Sequence, residues 1–453
     1  MKLATSYVKW VQKYLPSPMV IALLLTVLTF ILALLFTTSN QNGANRIIEI
    51  AHFWETGFWE LLTFTIQMML MLVLGHTLAL SKAADRLIRL VTHQCTSNAK
   101  AVVLVTLFSL LMGYVNWGCG LIFGAILAYK VGLHAKEKNI SINYPLVVAC
   151  GYTSLMVWHG GLSGSAPLDV AKLGHNLESV IGVVPISETI FAPANIAVFW
   201  GCIILLPLAA LLISRLHSSS AIGLPDQVFA SNPETTQPAS SNHTLADRLD
   251  NKVSIGLIFG SMILLLAIIS FLENENKWMY FNLNSINFIL FGLSLLLHRS
   301  ITSFSMATEE AIKGSTSILI QFPLYAGIMG ILKYSGLLVV VAQFFVDHST
   351  TETFPFFAFL SSALVNIFVP SGGAQWQVQG PILVEAAQHL GVPINKTIMS
   401  LAYGDQLTNM LQPFWALPLL GITKLKAKDI LPYSMLFMLF GFVIYTVALF
   451  FIW

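Results

Sequence analysis

Charged side chains are scarce in this chain. Asp, Glu, Lys and Arg account for 10% of its 453 residues, against about 25% in ordinary soluble proteins. The formal net charge of +2 is too small to suggest a nucleic-acid partner. Hydrophobic residues make up 56%, and apolar runs of about 20 residues recur along the whole length. This composition excludes an ordinary soluble globule and predicts an all-α polytopic membrane protein in contact with the lipid bilayer.

Cysteine pairs and catalytic motifs are also missing. The four cysteines form no Cys-x-x-Cys pair, so we expect small buried residues rather than a metal site or a disulfide. We find no His-Glu-x-x-His sequence, no paired aspartates on facing helices and no Ser, His and Asp set with convincing spacing. An enzyme is therefore not expected. No cofactor is expected either, apart from a coupling ion, Na⁺ or H⁺.

Apolar runs predict the membrane spans. Residues 1–16 place three lysines opposite Leu3, Tyr7, Trp10 and Tyr14, a pattern typical of an interfacial amphipathic helix. Nine spans are then predicted at about 18–36, 58–80, 145–165, 188–213, 253–272, 280–298, 315–333, 397–420 and 432–452.

Two further apolar regions, 101–131 and 354–387, are too long for one ordinary span and too short for two. Polar, glycine-containing stretches interrupt both: GYVNWGCG at 113–120 and ALVNIFVPSGGAQWQVQGP at 363–381. Non-helical backbone at membrane depth is tolerated only where protein buries it or where it lines a cavity. Each region is therefore either a re-entrant hairpin or an interrupted single crossing.

The distribution of Lys and Arg favours hairpins, because cytoplasmic loops are enriched in these residues. With two hairpins and an inside amino terminus, 18 of the 23 basic residues lie inside and 5 outside; with single crossings the counts are 13 and 10. We predict nine spans and two re-entrant hairpins, with the carboxyl terminus outside.

An internal repeat supports this topology. Residues 56–67 resemble 310–321, Asn116 corresponds to Asn366, and residues 149–168 resemble 401–420, all at an offset of about 250. We predict a first unit at 17–215 with its hairpin at 101–131, and a second unit at 280–453 with its hairpin at 354–387. A flexible cytoplasmic linker at 216–250 and an extra span at 253–272 separate them, and the extra span inverts the second unit. Inverted repeats are common in secondary transporters, whose sites lie near the bilayer midplane.

The chemistry of the predicted midplane suits an anion. The second arm of each hairpin begins near the tip, so its first turn presents unpaired backbone N–H groups and the positive end of a helix dipole. The spans that follow the hairpins are broken too, at 159–167 (HGGLSGSAP) and 403–413 (YGDQLTNMLQP). We find no Arg or Lys at this depth, which favours a single carboxylate over a dianion. The residues Trp117, Trp158, Trp376 and Trp415 are either packing residues or walls for a short hydrocarbon tail.

Candidate substrate-binding residues are Asn116, Trp117, Gly118, His159, Ser163, Asn366, Ser371, Gly372, Gly373, Gln375, Thr408 and Asn409. Candidates for cation or proton coupling are Asp405, Asn116 and Asn366. A carboxylate at mid-span is costly, so Asp405 is interpreted as a Na⁺ ligand or a proton carrier, with a structural hydrogen-bond acceptor as the alternative. For His159 the alternatives are a satisfied hydrogen-bonding residue and a proton relay. The only metal considered is Na⁺, whose ligands the sequence does not identify.

Four segments resemble the bacterial short-chain fatty acid transporter family: VNWGCGLIFGAILA, GYTSLMVWHGGLSGSAPL, VPSGGAQWQVQGPI and YGDQLTNMLQPFWALPLLGI. The similarity covers nearly the whole chain. The family is part of the ion transporter superfamily, in which two inverted units each contribute a hairpin and a broken helix to a transport domain that moves against a scaffold. The resemblance implies uptake of short monocarboxylates, such as acetoacetate and butyrate, at the bacterial inner membrane by a dimer. The tips read Val-Asn-Trp and Val-Asn-Ile where better-known superfamily members have Ser-Asn-Thr, so dicarboxylate or Na⁺ coordination is not carried over.

The first hypothesis is a secondary active transporter of short-chain monocarboxylates, coupled to Na⁺ or H⁺ and working by alternating access. A dicarboxylate or amino-acid transporter of the same fold is the closest alternative, and a cationic residue in the site would favour it. A passive channel for small anions is another, and it predicts flux without accumulation.

Overall fold

A computed structural model describes residues 2–38, 43–216, 223, 250–274 and 280–453. These residues form helices joined by turns and short loops. Nearly all of the predicted linker at 216–250 lies outside the described residues. Eight helices within the described ranges are long and apolar enough to cross a membrane, in agreement with an all-helical, multi-pass membrane protein.

Five helices precede the first polar tip: α1 (Lys2–Tyr14), α2 (Pro18–Phe36), α3 (Ala44–Glu60), α4 (Leu62–Leu80) and α5 (Lys82–Thr92). Ser17 caps the amino end of α2 and Pro18 takes its first position, where the fixed φ of proline suits a helix start. In α1, Val8 and Val11 are buried while Trp10 is 62% exposed. The interfacial location of this helix stays a prediction.

The first interrupted region forms a helical hairpin, with arms α6 (Asn98–Val115) and α7 (Trp117–Glu137). Asn116 breaks the helix with an extended backbone, φ −158° and ψ 130°. The arms pack closely beside the tip, because a Cβ on Gly120 would lie 2.5 Å from Cα of Gly113. Glycine at both positions is what permits this approach.

A broken helix follows the first hairpin. α8 (Tyr144–Tyr152) continues as one 3₁₀ turn (Thr153–Met156), and the chain becomes helical again at α9 (Ser165–Val170). The glycine-containing residues between them form turns, as predicted for 159–167. Two short pieces, α10 (Glu178–Ile181) and a 3₁₀ turn (Ile186–Glu188), lead to the long α11 (Pro193–Leu216).

The second half begins with five helices: α12 (Val253–Glu273), α13 (Leu283–His298), α14 (Ile301–Ile312), α15 (Thr316–Tyr334) and α16 (Leu337–Asp347). α12 corresponds to the predicted extra span. The sequence did not predict α3, α5, α14 or α16 as separate helices, because their charged or short apolar segments fall below the length of a membrane span.

The second interrupted region is also a helical hairpin, with arms α17 (Phe354–Phe368) and α18 (Gly372–Leu390). Polar contacts join the arms: Gln375 Nε2 donates to the carbonyl of Ser362 over 2.9 Å, and Gln379 Nε2 donates to Ser361 Oγ over 2.8 Å. All four residues are buried. This pairing explains how glutamines are accommodated in an apolar region, because each buried amide finds a partner on the facing arm.

A second broken helix follows: α19 (Ile394–Thr408), a 3₁₀ turn (Asn409–Leu411) and α20 (Pro413–Thr423). The long α21 (Ala427–Phe451) ends the described chain. The two halves therefore share the order hairpin, then broken helix. The inverted relation between them and the re-entrant placement of the hairpins in a membrane stay predictions.

Burial separates a central set of helices from a peripheral set. Residues 397–410 are all buried, and so are residues 144–152. In contrast, α2 exposes Leu23, Val27 and Leu35 by 48%, 58% and 70%, as a helix facing lipid would. The broken helices and hairpin tips thus lie inside a shell of apolar helices.

Candidate functional site

A cleft of about 400 Å³ lies between the two hairpin tips and the first broken helix. Its lining combines aromatic rings, hydroxyls and glycines from six segments of the chain. The lining residues are Phe64, Asn116, Trp117, Trp158, Ser163, Ser165, Leu168, Asp169, Lys172, Phe281, Asn282, Leu283, Ser371, Gly372, Gly373, Trp376, Gln377 and Trp415. We call this the tip cleft. Its size is in the range of small-molecule sites.

At the first tip, Asn116 serves as the N-cap of α7. Its Oδ1 accepts hydrogen bonds from the backbone N–H groups of Gly118 and Cys119 at 3.0 and 3.1 Å. Ser163 Oγ accepts from the N–H of Trp117 over 3.0 Å. The free helix N-terminus that the sequence predicted at this tip is therefore already occupied by side-chain oxygens.

The second tip is open in this respect. Ser371 caps α18 by accepting from the N–H of Ala374 over 3.3 Å. The N–H groups of Gly372 and Gly373 have no hydrogen-bond partner among the described residues. Both residues line the tip cleft. Two unpaired donors at the positive end of a helix form an anion-binding arrangement.

The break in the first broken helix contacts the second hairpin directly. A Cβ on Gly372 would lie 2.6 Å from His159 Cε1 and 2.9 Å from Trp158 Cη2, so only glycine fits there. Gly373 is freer, because its Cβ would lie 3.8 Å from Ser165. The break of the first broken helix and the tip of the second hairpin are therefore in contact.

A fully buried His–Asp pair lies behind the cleft wall. His159 Nδ1 is 2.6 Å from Asp405 Oδ2, and the two side chains are 0% and 1% exposed. Gln406 Oε1 accepts from the backbone N–H groups of His159 and Gly160, at 3.0 and 3.3 Å. The two broken helices are therefore joined at the level of their breaks.

The hydrogen bonds assign the tautomer of His159. The N–H of Ala166, in the first turn of α9, donates to His159 Nε2 over 3.1 Å, so Nε2 carries a lone pair. The ring proton of neutral His159 therefore lies on Nδ1 and is donated to Asp405. The other carboxylate oxygen, Asp405 Oδ1, is buried without a hydrogen-bond partner among the described residues. It is the free acceptor of this pair.

Asn366, in the second hairpin, forms hydrogen bonds with the second broken helix. Its Nδ2 donates to the carbonyl of Asp405 at 2.6 Å, to Thr408 Oγ1 at 3.0 Å and to Asn409 Oδ1 at 2.8 Å. The backbone carbonyl of Asn366 accepts a hydrogen bond from Gln412 Nε2. The side-chain oxygens of Asn366 and Gln412 are buried and have no hydrogen-bond partner among the described residues. Such oxygen atoms can coordinate Na⁺, and they can also accept hydrogen bonds.

All four tryptophans named above line the tip cleft. Trp117 lies 5.1 Å from Trp415 and 6.2 Å from Trp158 between ring centroids. The ring N–H groups of Trp158, Trp376 and Trp415 are buried without an acceptor in the described part of the chain. These rings supply an apolar wall together with unsatisfied donors.

Most of the predicted site residues fall into two groups. Asn116, Trp117, Ser163, Ser371, Gly372 and Gly373 line the cleft, whereas His159, Asn366, Asp405, Thr408 and Asn409 form the buried network behind it. Gln375 and Gly118 lie in neither group. Gln375 bonds within the second hairpin, and a Cβ on Gly118 would lie 2.5 Å from Met71 Sδ.

The structure also adds residues that the sequence did not predict. Lys172 lines the cleft, paired loosely with Asp169 at 3.7 Å, and Gln377 donates to Asp169 over 3.1 Å. A cationic residue therefore lines the cleft, although the sequence predicts no Arg or Lys at the depth of the midplane. Lys172 lies beyond the apolar run, in a loop assigned to the outer side, and only the fold brings that loop to the cleft. For Phe64 the sequence offered an indication of a role near the site, because this residue lies in the repeated segment 56–67.

Among the described residues, no group of three or more His, Cys, Asp or Glu side chains could hold a metal ion. The four cysteines are not paired with one another. What the fold and cleft define is an all-helical, multi-pass membrane protein with a polar, aromatic-walled cleft between two hairpin tips.

The chain belongs to the short-chain fatty acid transporter family. The family described as "Short chain fatty acid transporter" matches residues 1–452. A relative from Escherichia coli (strain K12), provisionally named as a short-chain fatty acid transporter, is 34% identical over 441 residues, covering 97% of each chain. A relative of the same provisional name from Haemophilus influenzae is 33% identical over 452 residues, covering 98% of each chain.

Two solved structures are similar over most of their length. The YdaH transporter of Alcanivorax borkumensis gives a TM-score of 0.40 at 15% identity, covering 95% of this chain and 98% of its own. MtrF of Neisseria gonorrhoeae, described with a class of antimetabolite efflux pumps, gives a TM-score of 0.35 at 15% identity, covering 97% and 96%.

Proposed function

We propose that this protein is a secondary active transporter that takes up short-chain monocarboxylates, such as acetoacetate or butyrate, across the bacterial inner membrane. It is coupled to Na⁺ or H⁺ and works by alternating access. The observation that carries this proposal is the pair of unpaired N–H groups at Gly372 and Gly373, placed beside four tryptophan rings in one cleft.

The substrate carboxylate binds at the second tip. The N–H groups of Gly372 and Gly373 donate to it, and the positive end of α18 stabilises its charge. The hydroxyls of Ser163 and Ser165 face the same cleft. The short alkyl chain then packs against the tryptophan wall.

The buried network behind the cleft carries the coupling. For H⁺ coupling, the proton binds at the free Asp405 Oδ1, or at His159 Nε2 with loss of the Ala166 hydrogen bond. Either event changes the contact between His159 and Gly372, and so reaches the substrate tip. For Na⁺ coupling, the unpaired oxygens of Asp405, Asn366 and Gln412 are the candidate ligands.

The proposal of alternating access is supported by the segments that border the cleft. The loop of Lys172, assigned to the outer side, lies at its rim. Phe64, Phe322, Phe414 and Trp415 form an aromatic layer that contributes Phe64 and Trp415 to the cleft lining, and Phe322 and Phe414 stack with ring centroids 3.8 Å apart. We propose that this arrangement is an outward-facing state, and that movement of the hairpins and broken helices relative to the aromatic layer opens the inner path.

The test is uptake into proteoliposomes. Labelled acetate, butyrate, acetoacetate and succinate are supplied separately, with a Na⁺ gradient or a pH gradient imposed one at a time. We expect one of the gradients to drive accumulation of monocarboxylates above the equilibrium level. Flux that only equilibrates would indicate a channel, and failure of both gradients with all four acids would refute the coupled transporter.

Lys172 favours one alternative, a dicarboxylate transporter, because a second carboxylate of the substrate could pair with it. Asp169 already lies 3.7 Å from its ammonium group, which weakens this pairing. Accumulation of succinate in preference to butyrate would support the alternative. The homodimer is also a proposal, tested by the mass of the purified protein in detergent measured by light scattering.

A further inference from the structure

A second cleft lies where the amino end of α2 meets the junction of α20 and α21. Its volume is about 650 Å³, and four lysines line it: Lys313, Lys424, Lys426 and Lys428. We call it the lysine cleft. All four lysines belong to the set assigned to the inside, so the predicted topology places this cleft at the cytoplasmic membrane surface.

Three of the four ammonium groups have no ion-pair partner among the described residues. Lys313 Nζ pairs with Glu310 Oε2 at 2.6 Å. No carboxylate of the described residues forms an ion pair with Lys424, Lys426 or Lys428. The nearby Asp429 accepts a hydrogen bond from the backbone N–H of Lys426 over 3.0 Å. The cleft therefore carries an excess of positive charge.

Lys424 occupies an unusual backbone position. It ends α20 in the left-handed region, with φ 58° and ψ 25°. Glycine is the usual residue at such a position, because a Cβ there is strained. The side chain of Lys424 lines the cleft together with Lys426 and Lys428.

The rest of the lining is apolar and continues onto a lipid-facing helix. Leu15, Leu417, Leu420 and Leu425 line the cleft, and Gln321 adds a buried Oε1 without a hydrogen-bond partner among the described residues. From Pro18 at the cleft edge, α2 runs on with only Ala22, Thr29 and Ala33 buried. An anionic head bound at the lysines would thus have an apolar surface beside it for long hydrocarbon chains.

We propose that the lysine cleft binds the headgroup of an anionic phospholipid, with its acyl chains along α2. Basic pockets between helices at the cytoplasmic surface are suited to phosphate headgroups. Three ammonium groups without an ion-pair partner among the described residues exceed what one small carboxylate needs, and the lysine cleft shares no lining residue with the tip cleft. The proposal does not depend on the substrate proposed above.

The test is lipid binding by the purified full-length protein, measured by native mass spectrometry during titration with phosphatidylglycerol or phosphatidylcholine. The variant Lys424→Gln/Lys426→Gln/Lys428→Gln removes the free charges. Because each lysine near an anionic surface strengthens binding by roughly fivefold, we expect the affinity for phosphatidylglycerol to fall by at least about tenfold. The matched control Lys82→Gln/Lys100→Gln/Lys138→Gln removes the same charge from exposed positions assigned to the same side but outside the cleft, and should bind as the wild type does.

Three outcomes would overturn the proposal: equal losses in both triple variants, equal binding of phosphatidylcholine, and competition by inorganic phosphate with the affinity of the lipid, which would indicate a free-phosphate site. If the lysine variant does not give monodisperse protein, Leu420→Trp fills the cleft without changing charge. It should lower phosphatidylglycerol binding by a similar factor, and wild-type binding by this variant would count against the cleft.

Discussion

Asp405 is the residue on which the coupling proposal depends. It carries a buried carboxylate with one oxygen bonded to His159 and the other without a partner among the described residues. Asp405→Asn keeps the shape and can still accept the His159 hydrogen bond, but it removes the charge that binds a cation or proton. We expect gradient-driven accumulation to fall by at least about tenfold, since an uncompensated change at a buried charge costs several kcal/mol, while substrate exchange across the membrane persists.

The measurement compares gradient-driven uptake with counterflow in proteoliposomes. Asp429→Asn, at the amino end of α21, is the control because its half-buried carboxylate accepts a hydrogen bond from the N–H of Lys426, a bond that asparagine can also accept, and lies in neither the tip cleft nor the buried network. Wild-type accumulation by Asp405→Asn would remove this residue from the coupling step.

Lys172 is a second single residue for which we expect a functional effect, because it places one positive charge at the cleft rim. Its side chain is 39% exposed, so it attracts an incoming anion through solvent rather than holding it in a dry site. Lys172→Gln should raise the KM for butyrate by about twofold to fivefold and leave kcat unchanged, because exposed charge interactions contribute at most about 1 kcal/mol. The effect should shrink in high salt; a lower kcat at unchanged KM would contradict a role in attraction.

At the scale of elements, the second hairpin tip gives a matched pair of glycines. Gly372→Ala places a methyl group 2.6 Å from His159 Cε1, whereas Gly373→Ala meets nothing closer than 3.8 Å. Because overpacking costs about 1–3 kcal/mol, Gly372→Ala should lower the melting temperature and reduce uptake by at least about tenfold. Gly373→Ala should have wild-type stability.

These two variants also separate packing from binding. Thermal unfolding in detergent and butyrate uptake are measured on both. Equal melting temperatures for the two variants would show that the tip does not pack against the broken helix as described here.

The interruptions that define these elements were predictable, whereas their contacts were not. Both hairpins break where the sequence has Asn116 and the 369–371 segment, because polar and glycine residues interrupt an apolar run. That Asn116 would cap α7 and Gln375 would bond across its own hairpin depends on which groups the folded chain places nearby. Short helices such as α14 carry no span-length signal.

At the scale of the whole molecule, the proposed outward-facing state predicts which side reaches the tip cleft. Ser165 lines this cleft, and Ser317 lines the lysine cleft, which the predicted topology assigns to the cytoplasmic side. Each serine is replaced by cysteine in a separate variant, Ser165→Cys or Ser317→Cys. In intact cells, a membrane-impermeant maleimide should label Ser165→Cys and not Ser317→Cys, and butyrate should slow labelling of the first by at least about threefold by occupying the cleft.

Inverted membrane vesicles reverse the comparison and serve as the control. Labelling of Ser317→Cys in cells together with protection of Ser165→Cys would overturn the predicted orientation. The native cysteines, all buried or half-buried, are first tested for background labelling in the unmodified protein.

The sequence alone determined the class of this protein, its long apolar helices and the places where the chain is interrupted, because these follow from local composition and from the cost of unsatisfied backbone in lipid. It also gave the residue types that an anion site needs. Only the tertiary structure decided that His159 pairs with Asp405, 246 residues away, that Gly372 meets His159, and that Lys172 reaches the rim. Such contacts depend on how two distant halves pack together, and no local pattern in either half specifies the partner in the other.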